Sequence, residues 1–136
     1  MMSKKVILTC SLYIISTFLS FGKELSSLKV YDSIIFPVLE AKCVSCHGAE
    51  KDKGKLRMHN KEALIKGGRG AGEDIIIKGD PNGSEIIFRI TFPKEDEEAM
   101  PPMEDEAHYN PVTPQELSVL KSWIQLGASF DAMISD

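Results

Sequence analysis

The run Cys43-Val44-Ser45-Cys46-His47 constrains this chain more than any other five residues. It offers two thiols separated by two residues and an imidazole directly after the second. That spacing meets two demands at once: the thiols can add across the two vinyl groups of a haem, and the histidine falls under the macrocycle, where it can coordinate iron. The pentapeptide therefore reads as c-type haem attachment, with Cys43 and Cys46 as thioether donors and His47 as proximal ligand. Three other uses of these residues compete. A redox dithiol wants the pair after a strand at a helix start, where the helix dipole lowers a thiol pKa; here a helical pattern precedes the pair and a glycine-containing loop follows. Zinc needs four ligands, usually as two pairs, and only His59 and His108 remain, at no zinc-finger spacing. A structural disulfide leaves His47 without a purpose.

Two thiols in a chain bound for an oxidising compartment fit this chemistry, and the N-terminus points to that destination. Met1 to about Gly22 opens with Lys4 and Lys5, continues as an apolar run from Val6 to Phe21 and ends in Ser20-Phe21-Gly22 ahead of Lys23-Glu24. This is the layout of a secretory signal. At roughly 16 residues the run falls short of the ~20 that cross a bilayer comfortably, so removal is expected and the product is periplasmic or otherwise exported. Residues 23–136 then form one domain, with a core over about 29–129. Cys10 sits behind Thr9 inside the apolar run and reads as a small hydrophobe rather than a lipid attachment point. The whole chain has a net charge of −4, and loss of Lys4 and Lys5 takes it to −6. An acidic chain is poorly suited to nucleic acid, whose phosphates are neutralised by Lys and Arg.

The rest of the chain is patterned for helices. Val30, Ile34 and Val38, with Tyr31, Ile35 and Leu39, recur at a spacing of four and predict a helix over Lys29–Lys42 that runs directly into Cys43. Pro37 lacks the N–H that would bond to Ser33, so either the helix kinks or its regular part starts near Phe36. Gly48 to Met58 reads as a solvated loop. Asn60 is placed to cap a short helix to about Lys66, stopped by Gly67-Gly68. Asp80-Pro81 reads as an N-cap and first-turn proline of a helix covering Ser84 to about Thr91, with Ile86, Ile87 and Ile90 as its apolar face. Pro93 to Pro111 is a loop rich in proline and acid. Thr113-Pro114-Gln115-Glu116 is a capping box opening a last helix to Leu126, with Leu117, Leu120, Ile124 and Ala128 on one stripe, Trp123 beside it and Gly127 as its stop. No segment sustains strand alternation, so the expected class is all-α.

A haem iron bound by His47 needs a second axial ligand unless that position stays open. The candidates are Met58, His59, Met100, Met103 and His108. Met100 is favoured because Pro101-Pro102 stiffens the backbone directly behind it, in the manner of a polyproline II segment. Met103, the runner-up, is followed by Glu104-Asp105-Glu106, which is costly to draw toward an apolar cofactor. The acidic runs Glu95 to Glu98 and Glu104 to Glu106 flank this loop. They are either a solvated surface or a face that steers a basic partner.

Taken together these features resemble the Planctomycete-type cytochrome c module. The shared motifs are the stretch from Pro37 to Gly48 around the haem pentapeptide, Lys53 to Arg57, Gly67-Gly68, Gly79 to Ser84, Met100-Pro101-Pro102, and Trp123 to Ala128. The resemblance implies a cytochrome c-like helical domain whose N- and C-terminal helices pack across each other around one covalent haem c, with Met100 as distal ligand. It implies an electron carrier rather than an enzyme, serving separate redox donor and acceptor proteins or membrane complexes, because such modules usually open larger proteins and this chain stops after the module. Met58 departs from the pattern, where Leu followed by Asp is usual. The competing function is a haem enzyme or sensor with an open or displaceable sixth site, of peroxidase or gas-binding type.

Overall fold

The computed structural model describes residues 28–104, 106, 107 and 109–134. The expected signal at 1–22, with Cys10, lies outside them, and so does His108. The first helical run begins as a single wide turn, Tyr31–Ile35, in which Phe36 N–H donates to Tyr31 O, five residues back. It continues without a break as α1, Phe36–Lys42. The missing donor of Pro37 explains the change of winding: a proline is tolerated in the first turn of a regular helix, where its N–H would find no partner, so the regular part starts at Phe36.

The second helix, α2 (Lys61–Lys66), is capped as its sequence predicts. Asn60 Oδ1 accepts Ala63 N–H at 2.8 Å, and Gly67 stops the helix with φ +67° and ψ −160°, a conformation that L side chains avoid. A Cβ at Gly67 would lie 1.5 Å from Gly72 O, so only glycine fits. Between α1 and α2 the chain is a loop with one tight turn at Lys53–Lys55.

The third helix, α3, covers the expected stretch, Glu85–Thr91, but its N-cap is Ser84 rather than Asp80. Asp80 and Pro81 form the preceding turn, in which Asp80 Oδ1 accepts Gly83 N–H at 3.0 Å. Aspartate before proline serves a turn as well as a helix start, and a tertiary contact decides between them. The fully buried Ser84 hydroxyl accepts Ile77 N–H and donates to Asp80 O, both at 2.8 Å, and so sews the turn shut beneath the helix.

The last helix, α4 (Pro114–Gln125), carries both bonds of its capping box: Thr113 Oγ1 accepts Glu116 N–H at 3.2 Å, and Glu116 Oε2 accepts Thr113 N–H at 2.7 Å. Its buried side chains Leu120, Trp123 and Ile124 meet Tyr31, Ile35 and Leu39 of the first helical run in one core. Tyr31 packs tilted against Trp123 and edge-on against Phe130, with ring centroids 5.7 and 4.5 Å away. The tail returns to the start of the chain, where Val30 N–H bonds to Ala132 O and Lys29 meets Asp131 at 2.7 Å. The first and last helices therefore pack together, and the described residues are helical, with isolated bridges and no strand. No helix among them is long and apolar enough to cross a membrane.

Candidate haem site

The end of α1 delivers the pentapeptide as a tightening turn. Cys43 and Val44 N–H both donate to Leu39 O, and Cys46 and His47 N–H both donate to Cys43 O, the last at 2.9 Å. Gly48 closes the motif because nothing larger fits: a Cβ there would lie 2.5 Å from Val44 O. The following loop folds back onto the same backbone, with Met58 N–H bonded to His47 O. Cys43, Cys46 and His47 thus share one wall of a cleft.

The cleft is open to solvent, and its empty space counted with that mouth is about 660 Å³. Its sides are apolar: Leu56, Met58 and Ile75 from the loops, Ile86 and Ile90 from α3, and Val112 ahead of α4. Met100, Pro101 and Pro102 come into it from the acidic loop. The Met100–Pro101 peptide bond is cis, where a continuous polyproline II run was expected.

Cys43 and Cys46 are not joined in a disulfide. Burial pushes the Cys43 thiol up to about 12, with the neighbouring Cys46 adding to the effect. The His47 imidazole is moved the other way: burial lowers its pKa, against the opposing backbones of Lys53 and Leu56. A neutral imidazole is the form that binds a metal. Its Nδ1 is buried with no hydrogen-bond partner among the described residues.

The four candidate axial residues that lie among the described residues separate clearly. Met100 and Met58 both line the cleft, the first 37% exposed and the second 4%. Met103 is 42% exposed and off the cleft. His59 is also off the cleft, with its Nδ1 buried and unpartnered among the described residues. Among the described residues no three His, Cys, Asp or Glu side chains converge on a metal position, so the zinc reading finds no ligand set there.

A haem fits these residues. The cleft is apolar, the two thiols stand on the wall with a neutral histidine, and a thioether enters from a different segment. The sequence reading missed Lys42 and Arg89, which also line the cleft. Arg89 could have been found from its place three residues after Ile86 and one before Ile90, on the inward side of α3.

No curated protein and no solved structure gives a significant match to this chain. A family model described as Planctomycete cytochrome C matches residues 43–104. The matched stretch contains the pentapeptide, the loops and α3 that surround the cleft, and the Met100 loop. Over residues 43–104 the chain is therefore similar to the Planctomycete cytochrome C family, a family of c-type cytochromes.

Proposed function

We propose that this protein carries one haem c, bound covalently through Cys43 and Cys46, and passes single electrons between separate extracytoplasmic partners. The observation that carries the reading is the convergence of Cys43, Cys46, His47 and Met100 on one apolar cleft. When bound, the haem supplies the one-electron couple at its iron. The chain's own residues do the rest. His47 offers a neutral ring nitrogen as proximal ligand, Met100 offers its sulfur as distal ligand, and the aliphatic walls exclude water. Two filled axial positions suit electron exchange without bond making, and a methionine sulfur raises the potential relative to a second nitrogen.

Met58 is the structural rival of Met100, because it too faces the cleft. Its backbone is bonded to that of His47, which favours the His47 wall for its side chain. Met100 belongs to a separate segment and is the better candidate for the opposite side. Docking is assigned to the exposed loop that carries Glu95 to Glu98, where a basic partner would be steered at low salt. Export by removal of residues 1–22 completes the reading.

Ligand variants test it. Met100→Ala should abolish the weak long-wavelength sulfur-to-iron band of the oxidised holoprotein, lower the potential and open the iron to cyanide, while Met103→Ala should leave all three nearly unchanged. Loss of the band in Met58→Leu but not in Met100→Ala would assign the sulfur to Met58. Ready binding of cyanide and carbon monoxide by the unaltered protein would favour the enzyme or sensor reading.

A further inference from the structure

We infer that Arg89 is the positioning residue of the Met100 loop, tying the segment before the methionine to α3; the inference rests on the distal-ligand reading above. Arg89 reaches the loop with its main chain and its side chain together. Its carbonyl accepts Met100 N–H at 3.0 Å. Its Nη1 lies 3.3 Å from Glu98 Oε2 and donates to Glu98 O at 3.4 Å. On the helix side, Nε donates to Glu85 Oε1 at 2.6 Å, four residues back along α3, which holds the guanidinium in place.

The segment from Pro93 to Glu98 has little else to hold it. From Pro93 to Glu98 every residue is exposed, and the segment's own bonds are local turns, Asp96 N–H to Pro93 O and Ala99 N–H to Asp96 O. Ala99, which follows it, is buried, at 4% exposure. Four successive acidic side chains, Glu95 to Glu98, repel one another, and Arg89 sets a fixed cation against their last member. A fork of several donors can span a carboxylate on the helix and both a carboxylate and a carbonyl on the loop, which a lysine ammonium cannot do with the same fixed geometry.

The competing view is that these are half-exposed ion pairs, a class that often contributes little. The arrangement argues otherwise because Glu98 is two residues from Met100, and Met100's own N–H ends on Arg89. Release of the guanidinium therefore removes the hold on Glu98 and leaves the Met100 backbone tied to α3 by the Arg89 carbonyl alone, while the aliphatic walls of the cleft remain intact. Arg89 touches no reacting atom; it acts through Met100.

The test uses the holoprotein with Arg89→Gln, Arg89→Lys, Glu98→Gln and the double variant Arg89→Gln/Glu98→Gln. Cyanide association with the oxidised protein, limited by departure of the sulfur, should speed up roughly three- to tenfold in Arg89→Gln, the size expected for loss of an ion-pair network worth on the order of 1 kcal/mol. Glu98→Gln should give a similar rise, the double variant no more than the larger single effect, and Arg89→Lys an intermediate value. Hydrogen exchange at the Ala99 and Met100 amides should accelerate in step, while exchange in α4 stays unchanged. A normal cyanide rate and normal amide exchange in Arg89→Gln, with the sulfur-to-iron band intact, would overturn the inference and leave the Met100 reading standing. Absence of that band in the unaltered protein would instead defeat the Met100 reading, and the amide exchange comparison would still decide whether Arg89 holds the loop. Glu98→Gln carries the same comparison should Arg89→Gln fail to fold.

Discussion

Ser84→Ala tests how α3 is fixed beneath the cleft. The Ser84 side chain is fully buried and makes two bonds at 2.8 Å, from Ile77 N–H and to Asp80 O. Each such bond is worth about 0.5–1.5 kcal/mol net, and a buried N–H stripped of its partner costs about 1–3 kcal/mol. Asp80 is exposed, so its carbonyl can turn to water, whereas Ile77 is half-buried and its N–H has less recourse. The expected loss is therefore about 2–3 kcal/mol. For a domain of this size that is a fall of about 8–12 °C in Tm, or about 1 M in the urea midpoint. Urea unfolding of the holoprotein, followed by far-UV circular dichroism, measures it against Ser118→Ala, an exposed serine of α4 whose change should stay within about 0.5 kcal/mol. Because α3 carries Ile86, Arg89 and Ile90 into the cleft, amide exchange along α3 should rise more than along α4. A Ser84→Ala protein within about 0.5 kcal/mol of the parent would refute the reasoning.

Two further predictions concern the rest of the frame. Gly67→Ala should cost more than about 3 kcal/mol or prevent folding, because the positive φ alone costs about 1–3 kcal/mol and the new methyl would collide with Gly72 O; a soluble variant with a parental urea midpoint would contradict this. The Tyr31 phenol is pushed up to about 12, by burial first and by Asp32 and Glu62 after it. With a folded pKa above the unfolded value of 10, the neutral phenol's contribution is fully present below pH 10 and is lost as pH rises from there to about 12. Urea midpoints across that range should fall in the parent and fall less in Tyr31→Phe. Since the Tyr31 hydroxyl is buried without a partner among the described residues, the Phe variant should be as stable as the parent or more so at pH 7; a loss above about 1 kcal/mol would reveal a hydrogen bond.

The parts of the fold that were legible in advance are those written in local chemistry. Asn60 and Gly67 bracket α2, and Thr113 to Glu116 open α4, because capping acts over three or four residues and the deciding groups lie next to each other in the chain. Pro37 narrowed the first helix to two options, and the wide turn before Phe36 is the local answer. The start of α3 was not legible, because Asp80 serves a turn as well as a cap and the choice is made by Ser84 reaching back to Ile77, seven residues away.

The site divides in the same way. Cys43, Cys46 and His47 are adjacent in sequence and were read from it; their meeting with Met100 in one cleft comes from the fold. The grip of Arg89 on Glu98 spans nine residues, and that of Lys42 on Asn110, at 2.7 Å, spans 68. No periodicity or cap reports contacts at such separations. The described acidic residues of the Met100 loop are exposed, so its composition describes a solvated surface and conceals the two anchors that fix it.

The most direct test of the central claim is the intact mass of the protein made in a host with cytochrome c maturation machinery, taken after acid-acetone extraction. Extraction removes haem held only by coordination and leaves haem joined through thioethers. The expected result is a polypeptide heavier by one haem, with the gain confined to the peptide containing Cys43 and Cys46 and lost in the Cys43→Ala/Cys46→Ala variant. A colourless polypeptide at its unmodified mass, with all haem in the extract, would contradict the account.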